Sequence, residues 1–341
     1  MNFFSDLPEL KPREFRTTWE SPSNIAFVKY WGKIGHQIPA NPSYSMTLKN
    51  CVTKTSLHVT PASALKVDLY LEDRPEPKFA QKIQTYLEGL SLPALSKLHF
   101  EVRTSNSFPH GAGIASSASG LSAFVLGLTE YIHQGLELPL DSVFYERAGH
   151  LSRLASGSAC RSLYGGFTSW GDHSNFFATP ETVHPTLAKL KDAVVVVSCK
   201  EKAVSSRAGH DRMKEHFFAE ARFTQAKANY KNLKLAMNSG DFSQVGLILE
   251  NEALSLHAMM MTAPEAFTLL RPESLGAMEM VRAFRMDSKI PVYFTLDAGP
   301  NLHLIYRPED GVKVETFIRH ELSRFSESVI FDEVGSGPRR C

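Results

Sequence analysis

Apolar and polar positions change their spacing several times along this chain, and each change marks an element. Leu121, Phe124, Val125, Leu128 and Ile132 recur at helical intervals, which predicts an amphipathic helix over residues 115–134. Alternation through residues 52–71, CVTKTSLHV and then LKVDLYL, predicts a β-hairpin. Strands are predicted at 14–20, 25–29 and 98–103, with a loop over 30–43. Helical patterns at 78–90 and 141–155 follow, the second running into a stretch rich in glycine and serine at 156–166. The valine run 194–197 is too short for a helix and too apolar for a sheet edge, so it is read as a central strand.

The second half carries long helical patterns at 213–238 and 242–260 and a third near 273–286. Strands at 291–297 and 302–306, a helix over 313–325 and a last strand at 329–333 complete it. Strands and helices mix in both halves without strict alternation, which indicates an α+β architecture. The turn-like TPETVHPT near 180–190 is read as the boundary between residues 1–185 and 186–341. The tail GSGPRRC is expected to be disordered.

Composition narrows the function classes. With 341 residues, 43% of them hydrophobic, the chain can bury one large core or two moderate ones. Its 37 basic and 36 acidic residues are spread evenly for a net charge of +1, which argues against a nucleic-acid or anionic-membrane partner. No apolar run reaches the roughly 18 residues of a membrane span. The N-terminal stretch MNFFSDLPELKPREF lacks the basic region and apolar core of a signal peptide. Cys51, Cys160, Cys199 and Cys341 lie far apart and form no C-x-x-C pair. Idle thiols in a reducing cytoplasm are the expectation.

Candidate chemistry begins at residues 104–120, TSNSFPHGAGIASSASG, a loop of small residues opening onto a helix. Such a turn leaves backbone N–H groups pointing outward, and with the helix dipole they favour phosphate oxygens. Ser116, Ser117 and Ser119 add hydroxyls that a nucleotide phosphate or its metal could use. An ordinary serine cap accounts for the same residues. Neither common phosphate loop matches: the Gly32-Lys33 pair is followed by Ile34, and Ser116 replaces the last glycine of a dinucleotide fingerprint.

Three further segments carry directional polar groups. Residues 24–33, NIAFVKYWGK, place Asn24, Lys29, Tyr30 and Lys33 in a strand-like context, where the lysines either meet an anion or face water. Residues 152–167, SRLASGSACRSLYGGF, cluster Ser156, Ser158, Arg161 and Ser162 among small residues. Arg161 offers a planar fork for a carboxylate or phosphate, or is a surface arginine beside a capping loop. Ser205, Ser206 and Arg207 repeat that chemistry on a smaller scale. In YFTLDAGPN, residues 293–301, Asp297 ends an apolar strand, either as a turn former or as a general base aimed into a cleft.

Taken in order, NIAFVKYWGK, PHGAGIASSASG, SGSACRSLYGGF and DAGPN closely resemble diphosphomevalonate decarboxylase, over roughly residues 24–306. That family belongs to the superfamily of galactokinase, homoserine kinase and mevalonate kinase. The resemblance implies a GHMP-kinase-like two-lobed fold, with a ribosomal protein S5 domain 2-like first lobe and a ferredoxin-like second lobe. It implies ATP- and Mg2+-dependent conversion of mevalonate 5-diphosphate to isopentenyl diphosphate by a cytoplasmic homodimer. It also implies roles: Asp297 as the catalytic carboxylate, Arg161 holding the C1 carboxylate, and Asn24 and Lys29 beside them. Tyr30, Lys33, Ser156, Ser158, Ser206 and Arg207 would line the substrate and its diphosphate. Pro109, Gly111, Ala112, Gly113, Ser116 and Ser117 would bind ATP phosphates.

The chain departs from the family pattern in places. After Ser205-Ser206-Arg207 the family usually continues Gly-Met, where this sequence has AGHDRMKEHFFAEAR. A Ser-Asn-x-x-His-Ala stretch stands as LSLHAMMM at 254–261, and the loop at 35–45 is unusual while keeping Ser43 and Ser45. These changes fall near the phosphate end of the substrate. The alternatives are decarboxylation of mevalonate 5-phosphate, a mevalonate or phosphomevalonate kinase, and a degenerate ligand sensor.

Overall fold

The structure, a computed structural model, describes residues 10–109, 114, 116–200, 204 and 206–341, with the backbone alone at Ser206 and Arg207. Its first strands are β1 (Phe15–Val28), β2 (Lys33–Ile34), β3 (Ile38–Pro39) and β4 (Ser43–Pro61). They are followed by β5 (Lys66–Leu71), β6 (Arg74–Pro75), helix α1 (Pro77–Gly89) and β7 (Leu98–Asn106). Helices α2 (Ser116–Gly135) and α3 (Ser142–Ala155) lead through a 3-10 turn at Gly157–Ser162 to β8 (Phe167–Trp170) and β9 (Thr179–Glu181). Next come β10 (Lys191–Val196) and helices α4 (Ser206–Arg212), α5 (Ala219–Ser239), α6 (Phe242–Met261) and α7 (Pro272–Ser288). The chain ends with β11 (Val292–Thr295), β12 (Leu302–Tyr306), α8 (Gly311–Phe317), β13 (Ser328–Glu333) and β14 (Arg339–Arg340).

Among the described residues the strands form an eight-stranded sheet ordered β14-β1-β4-β7-β5-β6, with β8 and β9 branching from β4. A four-stranded sheet follows the order β11-β12-β10-β13, and β2 and β3 make a small hairpin of their own. The α+β class is therefore as expected, and β10, which holds most of the valine run, lies inside its sheet.

Several elements differ from the sequence-based expectation. Strand β1 is continuous where two strands are expected, because register shifts at Pro22/Asn24 and Ala26/Val28 absorb the proline. Strands β4 and β5 are not a hairpin. β7 lies between them, antiparallel to β4 and parallel to β5. Alternation records that each strand has one buried face and cannot name its neighbour. The tail is ordered: Trp19 and Glu20 pair with Arg340 and Arg339, and the Cys341 N–H donates to the Thr18 carbonyl. Arg340 Nε also meets the fully buried Glu130 Oε1 at 3.0 Å. The helix expected over 313–325 is α8 followed by a π-turn at Ile318–Leu322 and a 3-10 turn.

Apolar packing joins the two sheets. Ile25 and Phe27 of β1 and Tyr44 and Met46 of β4 share one core with Val194 of β10, Ile305 of β12, and Leu233 and Leu249 of α5 and α6. Burying these side chains holds the ends of β1 and β11 at one place. No helix among the described residues is long and apolar enough to cross a membrane.

Candidate active site

Lys29 follows the last residue of β1, and Asp297 lies in the turn after β11. Their side chains meet across the two sheets, with Lys29 Nζ 2.8 Å from Asp297 Oδ1. The lysine side chain is 2% exposed and the aspartate 25% exposed, so the carboxylate is partly open while the ammonium is sealed behind it. Lys29 Nζ also donates to the Ala26 carbonyl at 2.6 Å.

The backbone around Lys29 is held as firmly. Its N–H donates to Glu252 Oε2 at 2.9 Å, and its carbonyl accepts from Asn41 Nδ2 at 3.0 Å. Glu252, buried on α6, is neutralised by Arg222 of α5, with Nη1 to Oε1 at 2.9 Å, and accepts from Asn229 at 2.7 Å. On the other side, the Asp297 carbonyl accepts from the Gly299 N–H at 2.7 Å and lies 3.2 Å from His257 Nε2.

The 3-10 turn at Gly157–Ser162 carries Arg161 into the same interior. Its guanidinium is buried, and Nε and Nη1 have no protein hydrogen-bond partner. Such groups are costly unless something completes them. Beside it, Asn24 Nδ2 donates to Ser162 Oγ at 2.8 Å while Asn24 Oδ1 is buried without a partner. Asn24, bonded to Ser162, and Arg161, the residue before it, thus both carry buried unmatched atoms.

Charge in this group is strongly coupled. Burial alone would raise the Asp297 pKa, but Lys29 and then Arg161 outweigh it and hold the carboxyl below its ordinary value. Burial pulls Lys29 the other way, below the usual lysine value, against the attraction of Asp297. The carboxylate is thus ionised at neutral pH and can accept a proton or a hydroxyl hydrogen bond.

Tyr30 stacks edge-on against Trp170, with centroids 4.7 Å apart, and burial raises its pKa, so it stays a neutral hydroxyl. Gly157 must be glycine here, because a Cβ would stand 2.7 Å from the Tyr30 hydroxyl. The tyrosine therefore sits against the turn that carries half-exposed Ser156 and Ser158. Lys33 begins β2 and is partly exposed.

The serine loop reaches the same strand. Ser23 Oγ donates to the Ile114 carbonyl at 2.5 Å, one residue before Asn24. Ser116 and Ser117 open α2 and are partly or fully exposed, as is Pro109 before the loop. Ser119 is different: it is buried, 2.6 Å from Thr53 Oγ1, and serves packing. Gly111, Ala112 and Gly113 lie outside the described residues, as do Ser205 and the side chains of Ser206 and Arg207.

Sequence reading missed Asn41, Arg222, Glu252 and His257. Glu252 and Glu250 are both buried on α6, and neither is set apart in the sequence from an ordinary helix charge.

Both halves of the chain are similar to known proteins. Residues 21–179 match the diphosphomevalonate decarboxylase-like N-terminal domain, and residues 193–340 match the mevalonate 5-diphosphate decarboxylase C-terminal domain. A solved structure described as MDDEF in complex with MVAPP, AMPPCP and magnesium is 30% identical, with a TM-score of 0.85 over 96% of this chain and 99% of that one. The mevalonate diphosphate decarboxylase of Staphylococcus aureus is 28% identical, with a TM-score of 0.85 over 96% and 98%. The diphosphomevalonate decarboxylase of Debaryomyces hansenii is 28% identical over 90% of this chain and 83% of its own length. Matched through both halves and sharing one fold over nearly its whole length, the chain belongs to the diphosphomevalonate decarboxylase family.

Proposed function

We infer that the chain is an enzyme that converts mevalonate 5-diphosphate and ATP to isopentenyl diphosphate, ADP, phosphate and CO2. The observation that carries this reading is the buried Arg161 fork, with Nε and Nη1 unmatched, beside the ionised Asp297. A planar carboxylate can accept from one of these N–H groups together with the neighbouring Nη2 in bidentate fashion.

The chemistry follows from those positions. Asp297, steadied by Lys29 at 2.8 Å, orients the tertiary 3-hydroxyl and takes its proton as the oxygen attacks the terminal phosphorus of ATP. The new 3-phosphate leaves with the C–O electron pair, and C3 becomes electron-poor. The C1–C2 pair then forms the C2=C3 double bond as C1 departs as CO2. Arg161 holds the carboxylate so that the breaking bond aligns with C3. Asn24 can assist, because the Ser162 hydroxyl can donate as well as accept, so the amide can turn its Nδ2 toward the carboxylate.

We assign Tyr30, Lys33, Ser156, Ser158, Ser206 and Arg207 to the substrate and its diphosphate. Pro109, Gly111, Ala112, Gly113, Ser116 and Ser117 are assigned to the phosphates of ATP. The oxygen-rich first turn of α2 suits magnesium-bound phosphates, and Mg2+ would supply charge neutralisation there. The boundary between lobes is placed at residues 185/186. The four free cysteines suit a reducing cytoplasm, and the assembly is taken as a homodimer, which light scattering tests. With mevalonate 5-diphosphate labelled at C1, labelled CO2 should form one-to-one with ADP. ADP without CO2 would identify a kinase, and neither product a sensor.

A further inference from the structure

Helix α4 carries a histidine that the reaction scheme leaves unused. The Gly32 N–H donates to His210 Nδ1 at 3.0 Å, and the imidazole packs against Tyr30 and Trp31, with centroids 4.4 Å and 4.6 Å away. The approach is close: a Cβ on the neighbouring Gly209 would stand 2.4 Å from Trp31 Cη2. Gly32 itself has φ of +109°, so the turn before Lys33 takes a shape open to glycine and needs its N–H satisfied.

The other side of this turn is also tied. Arg153 of α3 donates Nη1 to the His36 carbonyl at 2.8 Å and to the Gln37 carbonyl at 3.2 Å. Segment 30–37 is therefore clamped between α3 and α4, with His210 supplying the α4 hydrogen bond described here.

We propose that His210 is a positioning residue for the substrate's phosphate end, locking the Tyr30–Lys33 turn to the helix that begins with Ser206 and Arg207. The ring acts as a hydrogen-bond acceptor, which only the neutral form can do. Burial, reinforced by Lys33 and Arg161, pushes its pKa down to about 3 and keeps it neutral throughout the working range. Accepting at Nδ1 fixes the proton on Nε2. The role rests on the reading that Tyr30 and Lys33 face the diphosphate.

The test compares His210→Leu, which keeps bulk and loses the acceptor, with His210→Asn, whose Oδ1 replaces Nδ1. Kinetics, calorimetric binding of mevalonate 5-diphosphate without ATP, and melting midpoints are measured for both variants and wild type. His210→Leu should raise KM and Kd for mevalonate 5-diphosphate about 5- to 10-fold, the scale of one hydrogen bond. Its kcat and its KM for ATP should stay within about threefold, and His210→Asn should recover most of the lost affinity. Unchanged affinity in His210→Leu, or His210→Asn behaving no better than His210→Leu, overturns the proposal. So does a fall in kcat at constant KM. A wild type that binds mevalonate 5-diphosphate without turning it over contradicts the decarboxylase reading, while the Kd comparison still decides on His210. A wild type that does not bind it overturns both.

Discussion

Lys29 Nζ and Asp297 Oδ1 stand 2.8 Å apart, one side chain following a strand of the larger sheet and the other a strand of the smaller. The Asp297 carboxylate therefore keeps its ammonium partner only while the two sheets stay together. Removing the ammonium should leave Asp297 buried with less positive charge beside it, and its pKa should rise. In the proposed reaction the ionised carboxylate is the active form, so Lys29→Met should move the acid limb of the kcat/KM profile to higher pH. An acid limb in its wild-type place would show that Asp297 is not the titrating base.

Arg161 offers a second test. Arg161→Lys keeps the charge and loses the fork, so the substrate carboxylate is held at one point. Product formation should fall by about 10²-fold or more, as expected when a reacting group is mispositioned, while ATP affinity changes little. Loss of ATP binding with normal handling of mevalonate 5-diphosphate would make Arg161 a nucleotide ligand.

Behind Lys29 and Asp297, Glu252 and Arg222 form an ion pair that is 0% and 2% exposed. Arg222→Met leaves that carboxylate, which also holds the Lys29 N–H, without its counter-charge. Denaturant unfolding should register a loss of about 3–5 kcal/mol. The double variant Arg222→Met, Glu252→Met should be less destabilised than the single one. The reverse order would mean that the pair itself, and not the stranded charge, sets the cost.

Acid stability depends on histidines held neutral by burial, among them His150 and His210, with His133 shifted in the same direction. His150, next to Arg153, is pushed down to about 4, and His210 to about 3. Unfolding frees both to take up protons below their ordinary value near 6.5. The unfolded state therefore binds more protons across this window, and stability falls as pH drops from about 6.5 to 4.5. Each histidine contributes at most about 1.4 kcal/mol per pH unit. Replacing both with Gln and Asn should flatten this part of the unfolding profile, and an unchanged slope would assign the acid loss to other groups.

Helix α2 and the strands differ in how legible they are in the amino-acid sequence. The spacing of Leu121 through Ile132 records contacts made within one helix and its single buried face, so it marks the element directly. The pairing of β5 with β7 is a contact across distant chain, and no local pattern encodes it. The tail lacks periodicity because it is held by Arg339 on Glu20 and Arg340 on Glu130, partners more than two hundred residues earlier in the chain. At the site, Asn24, Lys29, Arg161 and Asp297 stand out because polar groups interrupt apolar or small-residue runs. Arg222 and Glu252 are hidden because each looks like an ordinary helix charge until the fold buries both.

In the proposed reaction, phosphoryl transfer and loss of carbon dioxide are coupled at Asp297 and Arg161. The most direct measurement counts ADP, phosphate and CO2 from one preparation given mevalonate 5-diphosphate or mevalonate 5-phosphate, with Asp297→Asn as the control. Equal amounts of all three products are expected from the diphosphate and little from the monophosphate. Asp297→Asn should remain folded and bind ATP, with turnover lowered by at least about 10²–10⁴-fold. ADP formed without phosphate and CO2, or Asp297→Asn turnover within tenfold of wild type, would contradict the proposed reaction.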